Sequence, residues 1–218
     1  MKMNPKRVTL FAGHYGSGKT NIAVNYALKM AEAGLPVTIA DLDIVNPYFR
    51  TKDSAEDLAR AGVALISSAY ANTNVDLPAL PAELYALTQN RDRYAVLDVG
   101  GDDRGALALG RYTPAILEEG NYEMIFVANF YRPLTPTAED AIEVMREIET
   151  AGGIPFTAIV HNSNLGEETT AADILAKEEE AGRLSALTGL PILFTAAPAS
   201  LAPSLPESFP LVLQKKIT

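Results

Sequence analysis

The chain has 218 residues, a formal net charge of −9, 48% hydrophobic and 21% charged side chains, no cysteine and two histidines. Those figures suit a soluble α/β domain with a substantial core. They exclude disulfides, thiol nucleophiles, iron–sulfur clusters and Cys-ligated zinc, and they disfavour nucleic acid and anionic membrane as partners, because both attract clustered Lys and Arg. One domain over 1–218 is expected. No apolar run approaches the roughly 20 residues of a bilayer span, and with Met1 to Arg7 leading into the first strand no signal peptide is expected. The expected location is the cytoplasm.

In chain order, Val8-Thr9-Leu10-Phe11-Ala12 reads as a buried strand. A helix follows, with Ile22, Ala23, Tyr26, Ala27 and Met30 on one apolar face and Gly34 and Pro36 ending it. Pro36 to Ala40 is the second strand and ends at Asp41. Ser54 to Ala61 reads as a short helix, Val63 to Ser67 as a third strand, and Pro81 to Gln89 as a helix opened by its proline. Tyr94 to Val99 is a fourth strand, followed by Gly100-Gly101, and Glu123 to Asn129 is a fifth. Thr135-Pro136 opens a helix closed by Gly152-Gly153, and Phe156 to Val160 is a sixth strand. Thr170 and Asp173 cap a helix running to about Leu187, and Pro191 to Phe194 is a seventh strand. The proline-rich stretch from Ala196 to Thr218 is expected to pack on the surface. Near-continuous apolar strands alternating with helices predict a mostly parallel, doubly wound sheet of about seven strands covered on both faces. Ligands then bind at the carboxyl ends of the strands.

Between the first strand and the first helix stands Gly13-His14-Tyr15-Gly16-Ser17-Gly18-Lys19-Thr20, which fits the P-loop pattern G-x-x-x-x-G-K-[ST] at every fixed position. A nucleoside triphosphate presents several negative charges. Glycines let the backbone curl so that successive N–H groups point inward, and the helix N-terminus adds its dipole. Lys19 is expected to reach the β- and γ-phosphates and Thr20 to hold Mg²⁺. A glycine-rich turn with a chance Gly-Lys-Thr is the competing reading; the strand before and helix after disfavour it.

Other polar residues stand at strand ends. Asp98 resembles a Walker B aspartate that binds Mg²⁺ through water or accepts from Thr20. Asp98-Val99-Gly100-Gly101 has the D-x-x-G form of a γ-phosphate-sensing turn, with the Gly101 N–H as donor. Asp41 and Asp43 close the second strand, and two carboxylates there can divide labour between metal-bound water and attacking water. The blander readings are a strand-end turn residue for Asp98 and a helix cap or solvated loop for the other pair.

The chain resembles the MinD/ParA group of P-loop ATPases, which also takes in the nitrogenase iron protein and the nucleotide-binding domains of cobyrinic acid synthases. The P-loop, the D-x-D at Asp41 and Asp43 and the turn from Asp98 to Gly101 match in order and approximate spacing. The resemblance implies that Asp43 supports hydrolysis, that Asp41 holds Mg²⁺-bound water, that Asn162 reads adenine, and that the region of Pro198 walls the base. One position departs. Where the group has the first P-loop lysine, which reaches a partner's nucleotide across a dimer, this chain has His14. A homodimer stays open.

Asn46 to Arg50, Asp102 to Arg104 and Asn129 to Pro133 form specialised loops. Arg50, Arg104 and Arg132 are candidates to touch phosphate or an acidic partner, against the blander reading of surface arginines. Tyr48, Phe49, Phe130 and Tyr131 mark a partner surface if exposed and ordinary core if buried. The leading expectation is an Mg²⁺-dependent ATPase that binds ATP and ADP and switches its affinity for a protein or small-molecule partner. A small-molecule kinase or ATP-dependent ligase, with an acceptor pocket from Arg104 and Arg132, is the alternative. A scaffold that binds nucleotide without hydrolysing it is the third reading.

Overall fold

Strands that are apolar on both sides must be covered on both sides, and parallel pairing requires a crossover between each pair. The computed structural model, which describes residues 4–42, 54–67, 87, 91–101 and 103–213, shows that solution. Eight strands form one sheet: β1 (Val8–Ala12), β2 (Val37–Leu42), β3 (Ala64–Ser67), β4 (Tyr94–Val99), β5 (Tyr122–Ala128), β6 (Ala158–His161), β7 (Ile192–Pro198) and β8 (Phe209–Leu211). Their spatial order is β3-β2-β4-β1-β5-β6-β7-β8, and the paired strands run parallel. β1 is central. From it the chain winds outward first through β2 to one edge and later through β5 to the other, which makes the carboxyl end of β1 the switch point where a ligand crevice opens.

Seven helices are described: α1 (Lys19–Glu32), α2 (Ala55–Arg60), α3 (Asp103–Gly110), α4 (Thr113–Glu119), α5 (Ala138–Gly152), α6 (Ala171–Leu175) and α7 (Glu178–Thr188). On one face of the sheet Leu10, Leu97, Met124 and Phe126 pack with Ala106, Leu109, Tyr112, Ile116, Met145, Ile148 and Leu184. On the other, α1 lays Ile22, Ala23, Tyr26, Ala27 and Met30 against Phe11, Ile39, Val96 and Ile125. The predicted apolar face of α1 is the buried one.

Several boundaries differ from the sequence expectation. The region after β4 holds two helices that the sequence reading left undescribed. The first contains Gly105, whose Cα comes so close to Gly100 that an added Cβ would lie 2.4 Å from the Gly100 Cα. Glycines inside a helix hide its periodicity. The fifth helix starts at Ala138, because Thr137 is its N-cap and accepts from the Asp140 N–H. Thr135 is buried and instead donates from Oγ1 to the Asn129 carbonyl at 2.8 Å. The helix expected from Thr170 to Leu187 is broken into α6 and α7, although its capping box of Thr170 and Asp173 is present. The proline-rich stretch does more than cover the surface, for it supplies an eighth strand. Phe209 stacks on Phe194 at 4.6 Å between ring centroids, and Tyr26 packs edge-on to Phe11 at 5.2 Å. Asn25 and Val212 exchange two hydrogen bonds, Nδ2 to the Val212 carbonyl at 3.0 Å and the Val212 N–H to Oδ1 at 2.9 Å. Burial raises the Tyr26 phenol to a pKa of about 12.

Candidate nucleotide site

The loop between β1 and α1 is built by its glycines. Gly16 and Gly18 have φ of 76° and 90°, a region that L side chains avoid. The Ser17 N–H donates to the His14 carbonyl at 3.0 Å and closes the turn, and the Ile22 N–H reaches the Gly18 carbonyl as the helix begins. The backbone thus curls directly into the N-terminus of α1, where unsatisfied N–H groups and the helix dipole favour an anion. Lys19 and Thr20 are buried, at 4% and 6% exposure, while Tyr15 stands half out at 51%. His14 turns back on its own loop, with Nδ1–H donating to the Tyr15 carbonyl at 2.9 Å.

The D-x-x-G turn closes on this loop. A Cβ added to Gly101 would stand 2.8 Å from the Tyr15 N, 2.9 Å from the Gly13 carbonyl oxygen and 2.9 Å from the Lys19 Nζ. Only glycine fits there. The backbone of Gly101 and the Lys19 ammonium therefore border the same small volume.

Asp41 and Asp98 are brought together by register. They are paired residues on adjacent parallel strands, and Asp98 also pairs with Phe11. Strand alternation puts both carboxylates on the face that carries Ile39, Val96, Phe11 and α1. Both are buried, at 6% and 0% exposure. Thr20, in the first turn of α1, lies on that same side of the sheet. A hydroxyl and two carboxylates are hard oxygen donors of the kind Mg²⁺ takes, and one or two suffice when phosphate and water complete the octahedron. Among the described residues no group of three or more His, Cys, Asp and Glu is gathered for a metal.

Asn162 sits directly under the loop. Its Nδ2 donates to the Ser17 carbonyl at 2.8 Å, and an added Cβ at Gly18 would lie 2.4 Å from that nitrogen. The side chain is buried at 3% exposure. Asn129, at the end of β5, has the same kind of role between loops. Its Oδ1 accepts from the Tyr131 and Asn164 N–H groups at 3.1 and 3.3 Å, and Ser163 Oγ accepts from the Phe130 N–H. The sequence reading did not single out this tie; an Asn at the same position on two neighbouring strands was the available signal. Phe130 is buried and belongs to the core. Beside it lies His161, packed against the Phe130 ring at 6.2 Å and without a hydrogen-bond partner on either ring nitrogen. Burial lowers its pKa to about 4, so it is neutral at pH 7.

The other loops of interest divide. Arg132 lies against Gly16, with Nε 3.5 Å and Cζ 3.7 Å from the position of an added Cβ. Asp43, Asn46 to Arg50, Asp102, the Pro81–Gln89 helix apart from Leu87 and the Arg104 side chain lie outside the described residues.

No family model and no curated protein sequence matches the chain. Solved structures do. FtsY from Mycoplasma mycoides superposes with a TM-score of 0.58 at 18% identity over 91% of this chain and 62% of that one. Cell division protein ftsY from Thermotoga maritima gives 0.57 at 18% identity over 91% and 63%. Signal recognition particle 54 kDa protein from Aeropyrum pernix, in complex with GDP, gives 0.54 at 18% identity over 89% and 42%. The chain spans about three fifths of the length of the FtsY structures. The fold is an α/β P-loop NTPase fold. This likeness does not single out the MinD/ParA group that the motifs suggested.

Proposed function

We propose that the chain is an Mg²⁺-dependent nucleoside triphosphatase that works as a nucleotide-state switch, with ATP as its nucleotide. One observation carries the reading. Gly101 of the D-x-x-G turn is packed onto the P-loop within contact of Lys19, so a γ-phosphate held by Lys19 is positioned to fix the turn, and its loss releases it. Thr20, Asp41 and Asp98 would hold Mg²⁺, which neutralises phosphate charge when bound. Asp43 orients the attacking water in this reading. The loop from Gly13 to Thr20 binds the phosphates.

Adenine is favoured over guanine by the resemblance of the motifs to the MinD/ParA group, in which Asn162 takes the base-reading position. Guanine offers N1–H and N2–H donors that a carboxylate pairs well, whereas this strand is followed by Asn162-Ser163-Asn164. Asn162 anchors the loop through Nδ2 and keeps Oδ1 as an acceptor for a base amine, which either purine can supply. The GDP in the Aeropyrum structure makes guanine the arm to test against.

Calorimetry with Mg-ATP, Mg-GTP and their diphosphates tests the reading. ATP should bind, and saturating nucleotide should raise the thermal midpoint as mass action requires. Lys19→Ala should lose that rise. Phosphate release should disappear in Asp43→Ala. Uptake of no purine nucleotide by folded protein sinks the proposal, and a clear preference for Mg-GTP sinks its adenine half.

A further inference from the structure

The phosphate loop has a second basic side chain laid against it. Arg132 leaves the sheet four residues after the end of β5 and folds back over Gly16, with Nε, Cδ and Cζ 3.5 to 3.7 Å from where a Gly16 Cβ would be. Its backbone is fixed. The Arg132 N–H donates to the Asn129 carbonyl at 3.2 Å, the Thr135 N–H donates to the Arg132 carbonyl at 3.1 Å, and Asn129 is wholly buried. Gly16 has no side chain to hold the guanidinium off, so the cation rests on the loop backbone.

Nε is enclosed without a hydrogen-bond partner, and no carboxylate among the described residues pairs with this arginine. A guanidinium keeps its proton, so Nε stays a donor. The chain therefore places at the curl a buried donor, on a cation, with no acceptor of its own. A phosphate group supplies that acceptor, because its oxygens accept from the planar fork of an arginine.

We propose that Arg132 is a phosphate-binding residue of this site, a cation supplied by the same chain that shares the polyphosphate with Lys19. The proposal deepens the nucleotide reading above and rests on it. It also explains why the β5–α5 loop is tied so closely to its neighbours: a charged group that must meet an anion from above the loop needs a rigid base.

The test is calorimetry on the parent, Arg132→Ala and Arg132→Lys with Mg-ATP, Mg-GTP and inorganic tripolyphosphate, and unfolding midpoints without ligand. Arg132→Ala should weaken the bound nucleotide by about ten- to a hundred-fold, the scale of one charge-assisted hydrogen bond. Tripolyphosphate should weaken by a similar factor, since the contact is to phosphate. Arg132→Lys should recover part of the affinity by restoring charge without the fork. Should Arg132→Ala lower the unfolding midpoint, Arg132→Gln keeps the stem over Gly16 and carries the same expectation. Parent-like affinity in the neutral variants, with the parent binding normally, overturns the assignment and leaves the nucleotide reading standing. Weakened nucleotide with unchanged tripolyphosphate also overturns it. No uptake by the parent overturns both.

Discussion

At the amino ends of the strands, Arg7 is enclosed and answered on every side, whereas at the carboxyl ends Arg132 is half-buried and its enclosed Nε has no partner. Arg7 donates from Nε and Nη2 to the two carboxylate oxygens of Glu119, and from Nη1 to the carbonyls of Leu87 and Arg93. That bidentate pair ties the start of β1 to the end of α4 and to the run into β4. Arg93 continues the seam, reaching Thr38 Oγ1 at 3.0 Å and the Val37 carbonyl at 2.9 Å. One end of the sheet is thus closed by charges that satisfy each other, and the other by backbone curvature and, at Arg132 Nε, a donor without an internal acceptor. Identical chemistry serves folding where its partner is part of the chain and serves binding where the partner is not.

Removing one member of the closed pair has the largest expected effect. Glu119→Ala leaves Arg7 buried and uncompensated, and should cost about 3–5 kcal/mol of folding stability while the remaining folded fraction binds nucleotide normally. Denaturant unfolding read beside calorimetry checks this. A binding defect of equal size would dissolve the division between the two ends.

His161 is next, for it sits at the carboxyl end yet belongs to folding. Its folded pKa of about 4 lies below the ordinary 6.5, so the unfolded chain takes up the proton first. Stability is whole above about pH 6.5, falls as pH drops toward 4, and levels off below that, for a total of about 3 kcal/mol. His161→Leu should flatten that fall. With two histidines in the chain, ring NMR resolves it directly, and a His161 titration near pH 6.5 would refute the enclosed environment.

The smallest effect is expected at Gly101. Its Cβ would press on the Tyr15 N and the Gly13 carbonyl of the loop, so Gly101→Ala should weaken nucleotide by roughly tenfold, about 1.4 kcal/mol, and lower the ligand-free midpoint as well, because loop backbone must shift. Undiminished affinity would separate the turn from the loop.

The fold was legible because its signals are local. Apolar runs gave the seven strands from β1 to β7, and the turn glycines around Gly13 to Gly18 gave the crevice between them. Less visible were elements whose reason lies elsewhere in space. The third helix contains a glycine demanded by contact with Gly100, and β8 forms because Phe209 has Phe194 and Tyr26 to pack on. Within the candidate site, motif spacing marked Lys19, Thr20, Asp41, Asp98 and Gly101, and strand register then juxtaposed the two carboxylates. Asn162 was picked out for a base, but its amide also holds the Ser17 carbonyl, a long-range contact that no local pattern encodes.

The paired bonds between Asn25 and Val212 have a practical meaning. They fasten the end of the last strand to the middle of the helix that begins with Lys19, and the aromatic stack beneath them leaves little slack. A fluorophore or tether attached near Val212 would therefore perturb the helix carrying the lysine, and labels meant as bystanders belong instead on the exposed end of α7, at Ala186 or Leu187.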